Sequence, residues 1–84
     1  MKDEMSIFLI YSKVENYYCD ALPKTLNIMR RVALEDFGEE KYFIFRYVPE
    51  EKYFVNVDDE DDIRFIDERQ EFADELQSTL DEQN

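Results

Sequence analysis

Any chemistry in this chain has to come from carboxylates. Its 84 residues include 22 Asp and Glu against ten Lys and Arg, with no histidine and one cysteine, Cys19. Without histidine there is no side chain whose ordinary pKa lies near neutrality, and no nucleophile sits beside a base. Gly38 is the single glycine, so a Gly-rich phosphate loop is absent as well. Paired carboxylates could in principle serve as acid and base. The densest group, however, falls where a solvent-exposed turn is expected, and neither burial nor confinement would tune it there. The expectation is a protein that is not an enzyme and carries no cofactor. Cys19 alone supports neither an intrachain disulfide nor a Cys/His zinc site, and is expected as a small buried strand residue.

The densest group is the run Asp58-Asp59-Glu60-Asp61-Asp62. Such a run serves as a solvated turn, as a docking surface for a Lys/Arg-rich segment, or as a calcium loop. Calcium is the poorest match: counted from Asp58, the sixth position holds Ile63 instead of Gly and the twelfth Arg69 instead of Glu. As a docking surface the run is expected to be reinforced by Glu50 and Glu51. Five neighbouring carboxylates repel one another, so a cationic partner both pairs with them and relieves that repulsion.

The charge is unevenly placed. Residues 1–47 carry seven basic and eight acidic side chains; residues 48–84 carry three and fourteen, which supplies nearly all of the net −12. This sign repels nucleic acid and anionic membrane as direct partners and favours a basic protein or basic segment. It also limits the chain to a monomer or to weak self-association, even though Lys24, Arg30 and Arg31 form one basic patch. The longest apolar run in the first strand, Ile7 to Tyr11, has five residues, far short of a membrane helix. It follows Asp3 and Glu4 instead of a cationic start, so no signal peptide is read, and an intracellular location, cytoplasmic or nuclear, is expected.

The elements that must position these groups follow from periodicity. With 44% hydrophobic residues, seven Phe and six Tyr, the chain can build one core. Residues 6–12 are apolar on both faces, as in a strand covered on two sides. Residues 17–22 resume as a second strand, giving a hairpin. Thr25 offers a helix N-cap; Leu26, Met29, Val32, Ala33 and Phe37 share one helical arc, and Gly38 ends it. Residues 41–48 and 52–57 read as two aromatic strands around the turn Pro49-Glu50-Glu51. After the acidic run, residues 63–66 read as a short last strand or a tethered turn. Phe72, Ala73, Leu76 and Leu80 then mark an amphipathic helix over 68–80. Both faces of the aromatic strands are apolar. One is assigned to the first helix, and the other to the terminal helix folding back through Phe72, Leu76 and Leu80 or to a partner.

Hairpin, helix, hairpin is the order needed by an α+β fold of β-grasp, ubiquitin-like type: a mixed sheet, first strand interior, one packed helix, here followed by a C-terminal amphipathic helix. Within it the chain resembles a PB1 domain. The likeness rests on Leu22-Pro23-Lys24-Thr25-Leu26, Phe37-Gly38, Phe45-Arg46-Tyr47, Val48-Pro49-Glu50-Glu51, Phe54, Val55, Val57 and Asp58 to Ile63. It covers about residues 7–66. PB1 domains pair front to back, an acidic motif on one gripping a first-strand lysine on another. The resemblance therefore implies protein–protein interaction in a scaffold or assembly, with Ile63 as a core residue. The acidic motif is degraded: Lys52 and Tyr53 stand where the family has glycine and a further acid, and Lys13 is the lysine nearest the first strand.

The sequence reading is thus a single domain over 1–84, with core 6–66 and terminal helix 68–80. It presents Glu50, Glu51 and Asp58, Asp59, Glu60, Asp61, Asp62 to a basic partner, with Tyr47, Tyr53 and Phe65 as apolar contacts. The alternative from another class is an acidic nucleic-acid mimic, of the kind phages encode, that blocks a DNA- or RNA-binding protein.

Overall fold

A computed structural model describes residues 4–82. Its strands are β1 (Ser6–Ser12), β2 (Tyr17–Tyr18), β3 (Leu22–Lys24), β4 (Tyr42–Val48), β5 (Tyr53–Asn56) and β6 (Asp59–Arg64), with helices α1 (Leu26–Phe37) and α2 (Asp67–Glu82). The sheet runs β2-β1-β4-β5-β6, and β3 pairs with β1 beyond β2. The fold is α+β, an open antiparallel sheet with two helices.

β1 is interior, as its doubly apolar sequence requires. Ile7 and Leu9 point to one face and Phe8 and Ile10 to the other, and all four are buried. The same alternation in β4 sends Phe45 and Tyr47 to the first face and Ile44 to the second. On that second face α1 lays Met29 and Ala33 against Phe8, Ile10 and Ile44, with Leu26, Val32 and Phe37 around them. The helix starts where expected: the Thr25 hydroxyl accepts the Ile28 amide at 3.4 Å. It stops at Gly38, whose φ of 98° is open to glycine at no steric cost.

The first face is closed by α2. Ala73 is fully buried among Ile7, Leu9, Ala21, Phe45, Tyr47 and Phe54, with Leu76, Leu80 and Ile66 packed alongside. The terminal helix therefore covers the sheet, as one of the two expected arrangements has it. Phe72, expected in that stripe, is instead 41% exposed, and the small Ala73 takes the buried place because it lets the helix axis approach the sheet closely.

Two expectations are corrected. A mixed sheet was expected, but all five ladders are antiparallel. β4 pairs directly with β1, Leu9 opposite Phe45 and Ile10 opposite Ile44, so no later strand is left to run parallel beside it. Second, Ile63 is not a core residue but is 42% exposed; the inward position belongs to Ile66. Ile63 sits opposite Val55, on the half of the α1 face that the helix does not reach. Among the described residues no helix is long and apolar enough to cross a membrane.

Candidate interaction surface

The acidic run is a strand and not a turn. Only Val57 and Asp58 turn the chain, and Asp59 to Asp62 enter β6, which among the described residues pairs with β5 alone and so forms one edge of the sheet. Asn56 makes this possible. It is buried; its side-chain carbonyl accepts the Asp58 amide N–H at 2.9 Å, and its side-chain amide donates to Asp62 at 3.2 Å. An Asn bonding its own backbone two residues on closes a tight turn without glycine. The ladder then slips. Asn56 faces Asp59 while Val55 faces Ile63, so Glu60, Asp61 and Asp62 bow out of register as a bulge.

The run divides in two by its partners. Asp62 is three-quarters buried and pairs with Arg64 at 3.0 Å. The Arg64 guanidinium, helped by the Asn56 amide, holds its carboxyl below the usual range. Asp58 pairs with Arg30 of α1 at 2.9 Å. Asp59, Glu60 and Asp61 are exposed and take part in none of the ion pairs among the described residues.

Arg64 extends from β6 over the α2 face into a box of rings. Its guanidinium lies 4.7 Å from the centre of Phe45 and 5.4–5.8 Å from Tyr11, Tyr18 and Phe43, and donates to the Tyr18 hydroxyl at 2.6 Å. Arg69, at the start of α2, donates to the carbonyls of Tyr18 and Cys19. Lys52 donates to both oxygens of Asp74 at 2.9 Å. These are the three cations of residues 48–84, and each is held internally. Arg64 neutralises Asp62, and none of the three pairs with Asp59, Glu60 or Asp61.

Glu50 and Glu51 do not join the run. They lie in the β4–β5 turn, whereas Asp58 lies in the β5–β6 turn, and the two turns sit at opposite ends of β5. Four strand residues separate them by roughly 13 Å. Tyr53 and Phe65 belong to the Glu50 end, packed edge to face with ring centres 5.6 Å apart; Phe65 is 67% exposed. Tyr47, expected as an exposed contact, is corrected: it is 1% exposed beneath α2. Its position one residue from Arg46 puts it on the inward phase of β4. Lys52, in the β4–β5 turn, takes a left-handed φ of 61°.

The Tyr47 hydroxyl donates to Asp74 at 2.6 Å and so joins β4, the Lys52 turn and α2. That hydroxyl first, and then the Lys52 ammonium, hold the Asp74 carboxyl below the usual carboxylate range; burial first, and then Asp74, push the Tyr47 phenol up. A carboxyl with a lower pKa in the folded state stabilises the fold above its unfolded value, near 3.9, and that contribution is lost as pH falls through the folded value. The stability gap between wild type and Asp74→Asn, followed by urea unfolding, is therefore expected to be constant down to about pH 5 and to close below about pH 4. A gap unchanged at about pH 2 would assign it to shape alone.

Cys19 is half-buried, and burial pushes its thiol up, away from the reactive thiolate. Among the described residues no group of three or more His, Cys, Asp or Glu side chains is arranged to hold a metal ion. The residues the sequence reading missed are Asn56, Arg64 and Asp74. Only Asn56 carried a local signal, an Asn ending an apolar strand just before a polar turn. No family model, curated protein or solved structure matches the chain.

Proposed function

We propose that this protein is a protein–protein interaction module that presents the carboxylates of β6 to a basic segment of a partner in a scaffold or assembly. The observation that carries the reading is the uncompensated edge. Asp59, Glu60 and Asp61 stand exposed on a bulged edge strand, while of the three cations of residues 48–84 Arg64 is taken up by Asp62 of the same strand, Lys52 by Asp74, and Arg69 by the Tyr18 and Cys19 carbonyls. An acidic field of this kind steers a cationic partner and fixes its register; nearby apolar contacts supply affinity. The likeness to PB1 domains, an acidic hairpin gripping a cation, supports the same mode. The antiparallel pairing of β1 with β4 sets this sheet apart from a β-grasp order, and the proposal does not depend on that order.

The same composition suits a nucleic-acid mimic, which needs carboxylates spread over one continuous face. Here α2, with seven of the nine acids of residues 48–84 outside the run, lies over the sheet face of Ile7, Leu9, Phe45, Tyr47 and Phe54, whereas the run lies on the β6 edge. Two separate acidic regions favour the module over the mimic.

The test is capture of basic partners by wild type and by Asp59→Asn/Glu60→Gln/Asp61→Asn, at low and high salt. Loss of a defined partner in the variant, with salt-sensitive binding in the wild type, is expected. Equal capture by both forms would make the carboxylates a guard on an edge strand and nothing more. A captured nuclease or other nucleic-acid enzyme that DNA displaces would transfer the reading to the mimic.

A further inference from the structure

α1 crosses only part of its face of the sheet. Beyond its first turn lies an open groove of about 720 Å³, floored by Phe8, Arg46, Val48, Tyr53 and Val55, with Leu26 of α1 as one wall and Glu60 of β6 on the opposite rim. Ile63, opposite Val55, and Phe65, against Tyr53, continue the apolar surface outward, and both are exposed. A groove of this size holds several side chains of a peptide. Arg46 is exposed on its floor, and no carboxylate among the described residues pairs with it.

We infer that this groove seats an apolar anchor residue of the same basic segment whose Lys and Arg side chains meet β6, an inference that rests on the function proposed above. Charge complementarity selects the occupant. The rim on β6 carries Glu60, flanked in sequence by Asp59 and Asp61, none of them in an ion pair among the described residues, so a segment entering from that side is cationic. Around Arg46 the floor offers the apolar surfaces of Phe8, Val48, Tyr53 and Val55, which suit a Leu, Met or aromatic side chain between those cations. Arg46 supplies a donor for a main-chain carbonyl of the segment, a group that an extended peptide leaves unpaired. The carboxylates then give approach and orientation, and the groove gives residence.

The experiment is an NMR amide-shift titration of the wild-type chain with two short amidated Lys/Arg peptides, one with a central leucine and one with a central glycine. The leucine peptide is expected to bind about tenfold tighter or better, from burial of one large aliphatic side chain. Its shifts should include Val48, Tyr53 and Val55. Tyr53→Ser should remove the difference between the peptides. Equal affinities with shifts confined to β6 would overturn the groove and leave the acidic edge standing. Binding of the leucine peptide against α2, beside Met5 and Leu80, would also overturn it. If neither peptide binds, the acidic-edge reading fails and the groove assignment fails with it. The wild-type titration decides these outcomes even where the variant does not fold.

Discussion

Arg64→Ala is expected to destabilise the fold by about 2–4 kcal/mol, although the residue is a charged side chain on an edge strand. A surface ion pair alone would be worth less than about 1 kcal/mol. Arg64 is different because its guanidinium lies among four aromatic rings, nearest to Phe45 at 4.7 Å, and bonds both Asp62 and the Tyr18 hydroxyl. Removing it empties the ring box, strips the stem that covers the sheet, and leaves Asp62 three-quarters buried without its cation. For a chain this short the loss corresponds to roughly 10–25 °C in Tm. Arg64→Lys is expected to restore only part of it, since an ammonium cannot stack flat and bond two groups in one plane. Urea unfolding of both variants is the check, and an Arg64→Ala cost below about 0.5 kcal/mol would reduce the cage to incidental contact.

The other large effect concerns α2. Ala73→Glu is expected to cost about 3–5 kcal/mol, the range for a buried charge left without a partner. Ala73 is fully buried in the cluster of Ile7, Leu9, Phe45 and Tyr47, and the cations on this face, Arg64 and Lys52, are already paired with Asp62 and Asp74. The helix has two ways to respond: burying the charge or lifting away. Lifting exposes Tyr47, Phe45 and Phe54, so dye binding to apolar surface should rise before the far-ultraviolet signal is lost. Glu at the exposed neighbour, Phe72→Glu, changes the net charge equally and serves as the control; it is expected to cost under about 1 kcal/mol. Similar losses from both substitutions would mean that the helix is not held by its Ala73 face.

The elements were legible in the sequence wherever a pattern repeats. The α1 stripe, its Thr25 cap and Gly38 stop, the doubly apolar β1 and the amphipathic α2 are all local signals. Strand pairing was not, because antiparallel and mixed sheets ask for the same alternation along each strand. The acidic run misled for a physical reason. Five carboxylates have poor strand propensity and read as a turn, yet Asn56 closes the turn in two residues and the bulge gives the carboxylates room to diverge. Placing Glu50 and Glu51 beside the run treated nearness in sequence as nearness in space, which a hairpin reverses from one end of a strand to the other. Arg64 and Asp74 were illegible because their partners, Tyr18 and Tyr47, lie 46 and 27 residues away.

The position of β1 between two helices has a consequence for how the chain is made. Ile7 and Leu9 leave the ribosome well before the groups that bury them, Ala73, Leu76 and Leu80. Arg69 bonds the carbonyl of Tyr18 across 51 residues, so even the first hairpin is fastened only when α2 begins. β2 and β3 pair with one edge of β1 soon after it, but its other neighbour, β4, arrives only between these and α2. A fold whose central strand waits for both its neighbour and its cover cannot assemble piecewise from its N-terminal end. Closure of β1 on its second edge and on the α2 face therefore waits on long-range contacts, which form slowly.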